Sequence, residues 1–291
     1  MEPYNAFPYT KGNTLRVFSH VAPAPTPVTR NCGRNGRIGR EEPDRLTPLQ
    51  RCMKNPPLPG IMGSQSVNLE IVDHLKVGDY HNAQVFVAKM HEIGATDPQK
   101  NVVVKVYDPL YFDDMEGYLN PFLCVDKHYT HEVHAYTLLA DLQGSLIPKF
   151  YWSFLLEIPL PGSETRVVRL IVIDYIPGLS MLQAHPEDYP SHSRQQIMKS
   201  VIDFESRVFQ RDIVLTDLCP RNAMLLDPSN SPQRMIVFLD FGGAIFGRTL
   251  DEPMAKKLKS IAWPWIEAEY AHEATSVTQE MRDKYCRRRP I

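Results

Sequence analysis

The segment 214–246 constrains the possible folds of this chain most, because it sets two aspartates around one short apolar run. Asp217 opens a polar loop that contains Asn222, and the apolar run 235–239 ends in Asp240, which the sequence Phe-Gly-Gly follows. An apolar run between a turn-rich segment and a glycine pair predicts a buried strand. A carboxylate directly after such a strand is a poor core residue, so the pattern indicates a polar site at that end of the strand.

The three polar side chains of this segment have the chemistry of a metal site with a proton acceptor. Mg²⁺ prefers oxygen ligands, and one aspartate with one asparagine is a typical share for the protein. Asp240 and Asn222 are therefore our candidate ligands, which leaves Asp217 free to orient or deprotonate a hydroxyl group. The alternative is two ordinary turn aspartates and an asparagine that caps a helix.

A lysine lies in the middle of a valine-rich segment upstream. Alternation in the predicted strand 101–107 puts three valines on one face and Lys105 on the other. Because a buried ammonium group without a partner is costly, Lys105 is expected to have an anionic partner. The alternative is an edge strand from which the side chain extends into solvent.

Two amphipathic segments predict helices. The first covers 127–144, and Glu132 lies one position off its apolar face, where it could turn toward the predicted sheet. The alternative is a glutamate exposed to solvent. The second helix covers 193–211, and its buried stripe is formed by Ile197, Val201, Phe204 and Val208.

Read in order, four features resemble the protein-kinase-like superfamily: Lys105, Glu132, the sequence D-L-C-P-R-N at 217–222 and the sequence L-D-F-G at 239–242. The short chain after L-D-F-G makes it more similar to the aminoglycoside and choline phosphotransferases than to regulated protein kinases. The resemblance implies an α+β, two-lobed protein-kinase-like fold. Its N-lobe would be a five-stranded antiparallel sheet with one helix, and its C-lobe would be reduced and mostly helical.

The resemblance also implies a binding site for ATP. Lys105, held by Glu132, would bind the α and β phosphates of the nucleotide. Gly78 would be the single glycine of the loop 76–86, which covers the phosphates. The adenine would hydrogen-bond main-chain groups of a hinge formed by Asp174, Tyr175 and Ile176.

The resemblance further implies the catalytic groups and the metal ligands. Asn222 and Asp240 would carry Mg²⁺, and Asp217 would be the catalytic residue that orients the acceptor hydroxyl. Arg221 would supply a positive charge where serine/threonine kinases have a lysine two residues after the aspartate; here that position is Cys219.

Three departures leave two functions open: the loop 76–86 has a single glycine, the second lobe is shortened, and a histidine is missing. The pair Leu215-Thr216 stands where the superfamily has a histidine that braces two loops. The first function is an ATP-dependent phosphotransferase, which moves the γ-phosphoryl group to a hydroxyl of a small molecule or a protein. The second is a pseudokinase that acts as a nucleotide-binding or interaction scaffold.

Composition excludes several other classes. The net charge of −2 gives no electrostatic reason to expect nucleic acid as the main partner. Five scattered cysteines without a C-x-x-C pair favour a reducing compartment. No apolar stretch has the length of a membrane span, and the first residues do not read as a secretory signal. We therefore expect a cytoplasmic or nuclear protein that is not secreted.

The sequence predicts four regions. Residues 1–65 are a proline-rich, mostly disordered arm, in which Phe7, Tyr9, Leu15 and Phe18 could pack locally. Residues 66–176 form the N-lobe, residues 177–272 form the reduced C-lobe with a last helix over 253–272, and residues 273–291 form a basic tail.

Overall fold

The structure is a computed structural model that describes residues 7–29, 32–92, 100–112, 118–160, 162–227 and 234–247, together with Ser260, Ile261 and Trp265. The chain divides into two compact units. The first unit comprises Met1–Thr137 and Lys149–Tyr175, and the second comprises Leu138–Pro148 and Ile176–Ile291.

The first unit is built on six antiparallel strands that close into a barrel in the order β1-β2-β3-β4-β6-β5. The strands are β1 (Thr14–Val21), β2 (Ile61–Lys76), β3 (Gln84–Glu92), β4 (Lys100–Tyr107), β5 (Phe150–Pro159) and β6 (Thr165–Asp174). The closure depends on β1, because this strand pairs with β2 and also with β5. Val17 lies opposite Val67 on one side and opposite Leu156 on the other.

The interior of the barrel is apolar. Val102, Val104 and Val106 of β4 are fully buried, which confirms the face that alternation predicted for them. They belong to one core cluster with Leu69 of β2 and Phe86 of β3. Because side chains alternate along each strand, the other face of β4 lies outside the barrel, and that face carries the candidate lysine.

The structure overturns the fold class that the family resemblance implied. We predicted a protein-kinase-like fold with an open five-stranded sheet and a mostly helical C-lobe. That prediction is wrong: the described part of the chain has a closed six-stranded barrel and four α-helices. The sixth strand is β1, whose pairing with β5 joins residues far apart in the chain and leaves no local sequence pattern.

Within residues 1–65, for which we predicted a mostly disordered arm, the structure places β1 and two short helices, α1 (Arg37–Glu41) and α2 (Pro48–Lys54). Tyr9 is also buried in this segment, and its hydroxyl donates a hydrogen bond of 2.6 Å to the Asp108 carboxylate. Arg166 of β6 contacts the other oxygen of the same carboxylate at 2.5 Å. This buried network ties the segment before β1 to the barrel, although proline-rich composition obscures it in the sequence.

One long helix, α3 (Pro121–Leu138), packs on the barrel exterior. The hydroxyl of Tyr129 lies 2.7 Å from the His20 ring on β1, and Tyr136 stacks on Phe150 of β5 with ring centroids 5.1 Å apart. The helix begins earlier than predicted because the Asn120 side chain accepts a hydrogen bond of 3.0 Å from an amide of the first turn. This helix carries Glu132 toward the sheet.

The second unit contains one helix, α4 (Ser191–Gln210), among its described residues, and the predicted stripe of that helix is buried as expected. Five short strands form two small sheets, ordered β10-β9-β7 and β11-β8. They are β7 (Leu179–Ser180), β8 (Ile213–Leu215), β9 (Ala223–Leu225), β10 (Ile236–Phe238) and β11 (Ala244–Phe246). β10 is fully buried, which confirms the strand predicted over 235–239, and Phe238 stacks on Phe204 of α4 at 4.0 Å.

Two remaining predictions concern the end of the chain and the membrane. The predicted helix 253–272 lies almost entirely outside the described residues, and the predicted tail 273–291 lies wholly outside them. Across the ranges that the structure does describe, no helix has both the length and the apolar character that crossing a membrane requires.

Candidate functional site

The first unit holds the predicted pair of lysine and glutamate. Lys105 Nζ on β4 lies 2.6 Å from Glu132 Oε2 on α3, and the hydroxyl of Tyr107 donates a hydrogen bond of 2.6 Å to the same oxygen. The Glu132 side chain is only 1% exposed and the Lys105 side chain only 13%. Both groups are therefore taken out of water, and each is stabilised as an ion by the other.

The barrel explains why these groups meet. β4 lies between β3 and β6, so Lys105 is not on an edge strand, and the alternative of a lysine reaching into solvent does not apply. Inward-facing valines force Lys105 and Tyr107 onto the outer face of the strand. α3 covers that face, and Glu132 is buried there instead of being solvated. The contact that we expected is present, and its role in phosphate binding stays a prediction.

The predicted phosphate loop is closed by a glutamine that the sequence analysis did not single out. Gly78 has a φ of +124°, a backbone conformation that favours glycine. Its amide donates a hydrogen bond of 2.7 Å to the side chain of Gln84, which returns a bond of 2.8 Å to the Gly78 carbonyl. The Gly78 amide, in the loop that we predicted to cover the phosphates, is therefore already engaged. Gln84 is fully buried at the start of β3. In the sequence, the sign of this contact was an amide side chain at the start of an apolar strand, because a buried amide needs hydrogen-bond partners.

The predicted hinge begins with a carboxylate that is also engaged. Asp174 accepts hydrogen bonds from Lys100 at 2.8 Å and from Tyr151 at 2.7 Å. Burial alone would raise the pKa of Asp174, but these hydrogen bonds, with one from the Lys149 amide, lower it below its ordinary value. The Asp174 amide donates to the Lys149 carbonyl at 2.9 Å, so this main-chain donor is not available to an adenine.

The other two hinge residues differ in exposure. Tyr175 is the last residue of the first unit, and it is 39% exposed. Ile176 begins the second unit and is buried in a small cluster with Leu226 and Val237. Ile176 therefore has a packing role in the second unit whatever else it does.

The second unit holds the predicted catalytic loop. Asn222 ends a 3-10 turn (Pro220–Asn222), and its side-chain amide donates to the Asp217 carbonyl at 2.9 Å and to the Asp217 carboxylate at 3.2 Å. These two bonds fix the amide group, and its oxygen is then the atom that can act as a ligand or acceptor. The spacing of five residues that the sequence pointed to thus folds into a closed loop.

Arg221 and Cys219 also contact the Asp217 carboxylate. Arg221 Nη2 lies 2.5 Å from Asp217 Oδ1, and the hydrogen bond that Arg221 donates to this carboxylate, with the carboxylate's charge, raises the pKa of Arg221. Both side chains are largely exposed, at 60% and 45%, so the ion pair contributes little to stability. The Cys219 sulfur lies 3.7 Å from the same oxygen. Arg221 is therefore placed to neutralise Asp217.

Asp240 is brought next to this loop by main-chain hydrogen bonds. The amide of Leu239 donates to the carbonyl of Asn222 at 2.7 Å, which holds the residues before Asp240 against the catalytic loop. Asp240 itself has a φ of +64°. A non-glycine residue in this left-handed region is strained, and such strain clusters at functional sites.

A threonine braces the two loops, and the sequence analysis missed it. Thr216 Oγ1 donates a hydrogen bond of 2.8 Å to the carbonyl of Gly243, beside the pairing of β8 with β11. A Cβ atom at Gly243 would lie only 2.7 Å from Thr216 Oγ1, so the loop after Asp240 can approach this closely only with glycine there. Two sequence features could have indicated this contact: the hydroxyl residue beside Asp217 and the glycine pair after Asp240.

The donor set for a metal consists of one amide oxygen and one carboxylate. Asn222 and Asp240 are oxygen donors of the kind that Mg²⁺ accepts, so the side chains fit that ion. Across the described residues there is no group of three His, Cys, Asp or Glu side chains that could hold a metal. Our predictions of a kinase, of ATP binding and of magnesium binding took their support from a kinase-like fold. With that fold overturned, they lose that support.

The candidate residues divide between the two units. The first unit contains Gly78, Lys105, Glu132, Asp174 and Tyr175, and the second contains Ile176, Asp217, Arg221, Asn222 and Asp240.

No family model matches the chain, and the search of curated proteins finds no match either.

Proposed function

We propose that this protein transfers a phosphoryl group from a nucleoside triphosphate to a hydroxyl group. The observation that carries the proposal is the cluster in the second unit, where Asn222 holds Asp217 and main-chain bonds hold Asp240 beside them. An aspartate for the acceptor hydroxyl next to two oxygen ligands for a divalent cation is the set of groups that phosphoryl transfer uses. A bound cation would neutralise negative charge on the phosphate oxygens.

The groups of the second unit have separable roles in this proposal. Asp217 accepts a hydrogen bond from the acceptor hydroxyl and takes its proton as the new bond to phosphorus forms. Asn222 keeps the Asp217 carboxylate in one orientation through the bond of 3.2 Å. Asn222 and Asp240 would hold the cation. Arg221 leaves Asp217 and pairs with phosphate oxygens when the nucleotide binds, which is possible because its side chain is 60% exposed.

In the first unit, Lys105 carries a positive charge of the kind that binds phosphate. Glu132, which also accepts a hydrogen bond from Tyr107, holds its ammonium group in place, so little side-chain entropy is lost when an anion binds. Phosphoryl transfer depends mainly on the positioning of the reacting groups and on electrostatics. The contacts that hold Asp217, Asn222 and Asp240 supply this positioning.

A thermal-shift titration with ATP, with and without Mg²⁺, tests the proposal in the full-length chain. A ligand that binds only the folded state raises the melting temperature, so no acceptor needs to be known. We expect stabilisation that requires Mg²⁺ and is lost in Asp240→Asn. Asp203→Asn, which changes an exposed aspartate of α4, is the matched control and should behave as wild type. Absence of any stabilisation by ATP in the wild type would overturn the proposal.

A nucleotide-binding or interaction scaffold is the second candidate. The observation in its favour is that the Asp217 carboxylate already receives contacts from Arg221, Asn222 and Cys219. ADP release in the presence of hydroxyl acceptors separates the two functions. A phosphotransferase should lose turnover by about 100-fold or more in Asp217→Asn while it keeps ATP-dependent stabilisation. A scaffold should show no turnover in the wild type and unchanged partner binding in this variant.

We infer that the partners are a nucleotide and a hydroxyl-bearing acceptor, and that the protein acts in a reducing compartment such as the cytoplasm or the nucleus. In support, the cysteines within the described residues are all free thiols, namely Cys32, Cys52, Cys124 and Cys219. Structural disulfides would be expected in a secreted chain of this cysteine content.

A further inference from the structure

Two free cysteines of the first unit come together at the start of α3. A Cβ atom built on Gly33 would lie 2.9 Å from the sulfur of Cys124, and this sulfur contacts the Gly33 carbonyl at 3.5 Å. Cys32 is the residue before Gly33. Because adjacent Cα atoms are about 3.8 Å apart, the Cα of Cys32 lies within about 8 Å of the Cys124 sulfur. Both cysteines are partly exposed.

The backbone around the two cysteines is fixed by hydrogen bonds. The amide of Asn120 donates to the Gly33 carbonyl at 2.7 Å, and the amide of Asn35 donates to the Tyr118 carbonyl at 2.8 Å. Arg34 and Leu119 form an isolated β-bridge between the same two segments. The separation of Cys32 and Cys124 is therefore set by the fold and does not depend on a chance encounter of two loops.

A lysine distinguishes the two sulfurs. Lys127 lies one turn after Cys124 on α3, and its ammonium group is 3.8 Å from the sulfur of Cys32. Burial raises the pKa of Cys124. The contact with Lys127 favours Cys32 as the attacking cysteine and leaves Cys124 to resolve the mixed disulfide.

We propose that Cys32 and Cys124 form a reversible disulfide, made by exchange with a low-molecular-weight disulfide such as glutathione disulfide. The Cys32 thiolate attacks one sulfur of the reagent, whose S–S bond breaks and releases one thiolate. The Cys124 thiol then loses its proton to solvent and attacks the Cys32 sulfur, which expels the second thiolate. Two protein thiols are oxidised and one reagent disulfide is reduced to two thiols, so the exchange is balanced.

The other described cysteines do not share this setting. Cys52 is buried, and burial raises its pKa to about 12. Cys219 lies against the negative charge of Asp217, which opposes the thiolate. A disulfide needs Cα atoms about 4.4–6.8 Å apart, and the Cys32 side chain, which contacts Lys127 in this structure, must rotate toward Cys124 to complete the bond.

The crosslink would act on α3. It joins the first turn of this helix to the segment 32–35, and the same helix carries Glu132, which holds Lys105. An oxidised pair would therefore restrict the helix that positions the ammonium group. This inference rests on the cysteine geometry and does not depend on the proposed function.

Peptide mapping after incubation in a glutathione redox buffer tests the proposal. We expect the folded full-length chain to give a linked peptide that contains Cys32 and Cys124, and the link should disappear after reduction. Cys32→Ser and Cys124→Ser should abolish it, and Cys219→Ser is the matched control that should leave its yield unchanged. The oxidised wild type should melt about 5 °C or more above the reduced form, and the two serine variants should not show this difference.

Two results would overturn the proposal. The first is a chain that accumulates glutathione on Cys32 but gives no linked peptide. The second is a link that forms only in denaturant, which would mean that the fold keeps the sulfurs apart. Lys127→Gln tests the order of attack, because it should slow the first exchange at Cys32 several-fold. The rate at which Cys219 is alkylated is the internal control and should not change.

Discussion

Thr216 Oγ1 donates a hydrogen bond of 2.8 Å to the main-chain carbonyl of Gly243, and this bond joins the loop of Asp217 to the loop of Asp240. The Thr216 amide lies 3.4 Å from the same carbonyl, and β8 and β11 pair directly beside it. This side-chain bond adds to the three-residue pairing of β8 with β11 in holding the two loops together. The relative position of the candidate catalytic and metal-binding aspartates therefore depends on a threonine.

Thr216→Val should loosen this junction. The substitution keeps the shape of the side chain and removes the donor, so the free energy of unfolding should fall by about 1 kcal/mol. Thr216→Ser keeps the hydroxyl and should recover most of the loss. Urea denaturation measures both effects. Thr137→Val is the control, because Thr137 makes a similar bond of 3.1 Å to a carbonyl on the exposed side of α3. An equal loss in both valine variants would mean that the junction has no special role.

Lys105→Met should destabilise the first unit strongly. It leaves the carboxylate of Glu132 buried without its cation, and breaking a buried pair in this way lowers the free energy of unfolding by about 3–5 kcal/mol. Lys105→Met combined with Glu132→Leu should recover part of this loss, since neither charge is then buried. Thermal and urea denaturation of the single and double variants provide the comparison.

The control for that experiment lies on the same strand. Lys100 pairs with Asp174 at 2.8 Å, but its side chain is 56% exposed. Lys100→Met should therefore lower the free energy of unfolding by only about 1 kcal/mol or less. If Lys105→Met has the same small effect, the buried pair is not coupled to the stability of the barrel.

Tyr9→Phe should show that the segment before β1 belongs to the folded unit. The substitution removes the hydroxyl that donates to Asp108 and leaves this buried carboxylate with one partner fewer, so the free energy of unfolding should fall by about 1–3 kcal/mol. Tyr80→Phe is the control, because the Tyr80 side chain is 62% exposed at a loop tip. A wild-type melting temperature for Tyr9→Phe would contradict the buried network.

A buried histidine and a half-buried aspartate of the first unit give opposite pH dependences. Burial, followed by the charge of Arg169, lowers the pKa of His20 to about 4, so the unfolded chain binds this proton between pH 6.5 and 4 while the folded chain does not. His20 therefore makes stability fall as the pH drops through this window. Burial raises the pKa of Asp126 to about 6, despite a bond from the Leu58 amide and the charge of Arg169. As the pH drops, the folded chain therefore binds this proton before the unfolded chain does. Asp126 thus makes stability rise as the pH drops through about the same window.

Asp126→Asn should expose the contribution of His20. Without the compensating carboxyl group, the free energy of unfolding should fall more steeply from pH 6.5 to pH 4 than in the wild type. Urea denaturation at a series of pH values measures the slope. Asp203→Asn, on the exposed side of α4, should leave the slope unchanged. A slope for Asp126→Asn equal to that of the wild type would contradict the assignment.

Local patterns in the sequence determined the short-range parts of this protein. Alternation in β4 fixed which face of the strand carries Lys105, and helical spacing fixed the buried stripe of α4. The five-residue interval between Asp217 and Asn222 set the closed loop. Each of these features needs only one strand, helix or turn, and their periodicity is visible in a single stretch of sequence.

The tertiary structure alone decided how the strands assemble and which polar groups remain available. The pairing of β1 with β5 closes the barrel, and with it the predicted kinase-like fold fails. Folding of the first unit engages the Gly78 amide with Gln84 and the Asp174 amide with Lys149, and folding of the second unit brings Thr216 to Gly243. Such contacts join residues that are distant in the chain or turn toward one another only after folding. Their energies depend on burial and register, which no window of the sequence specifies.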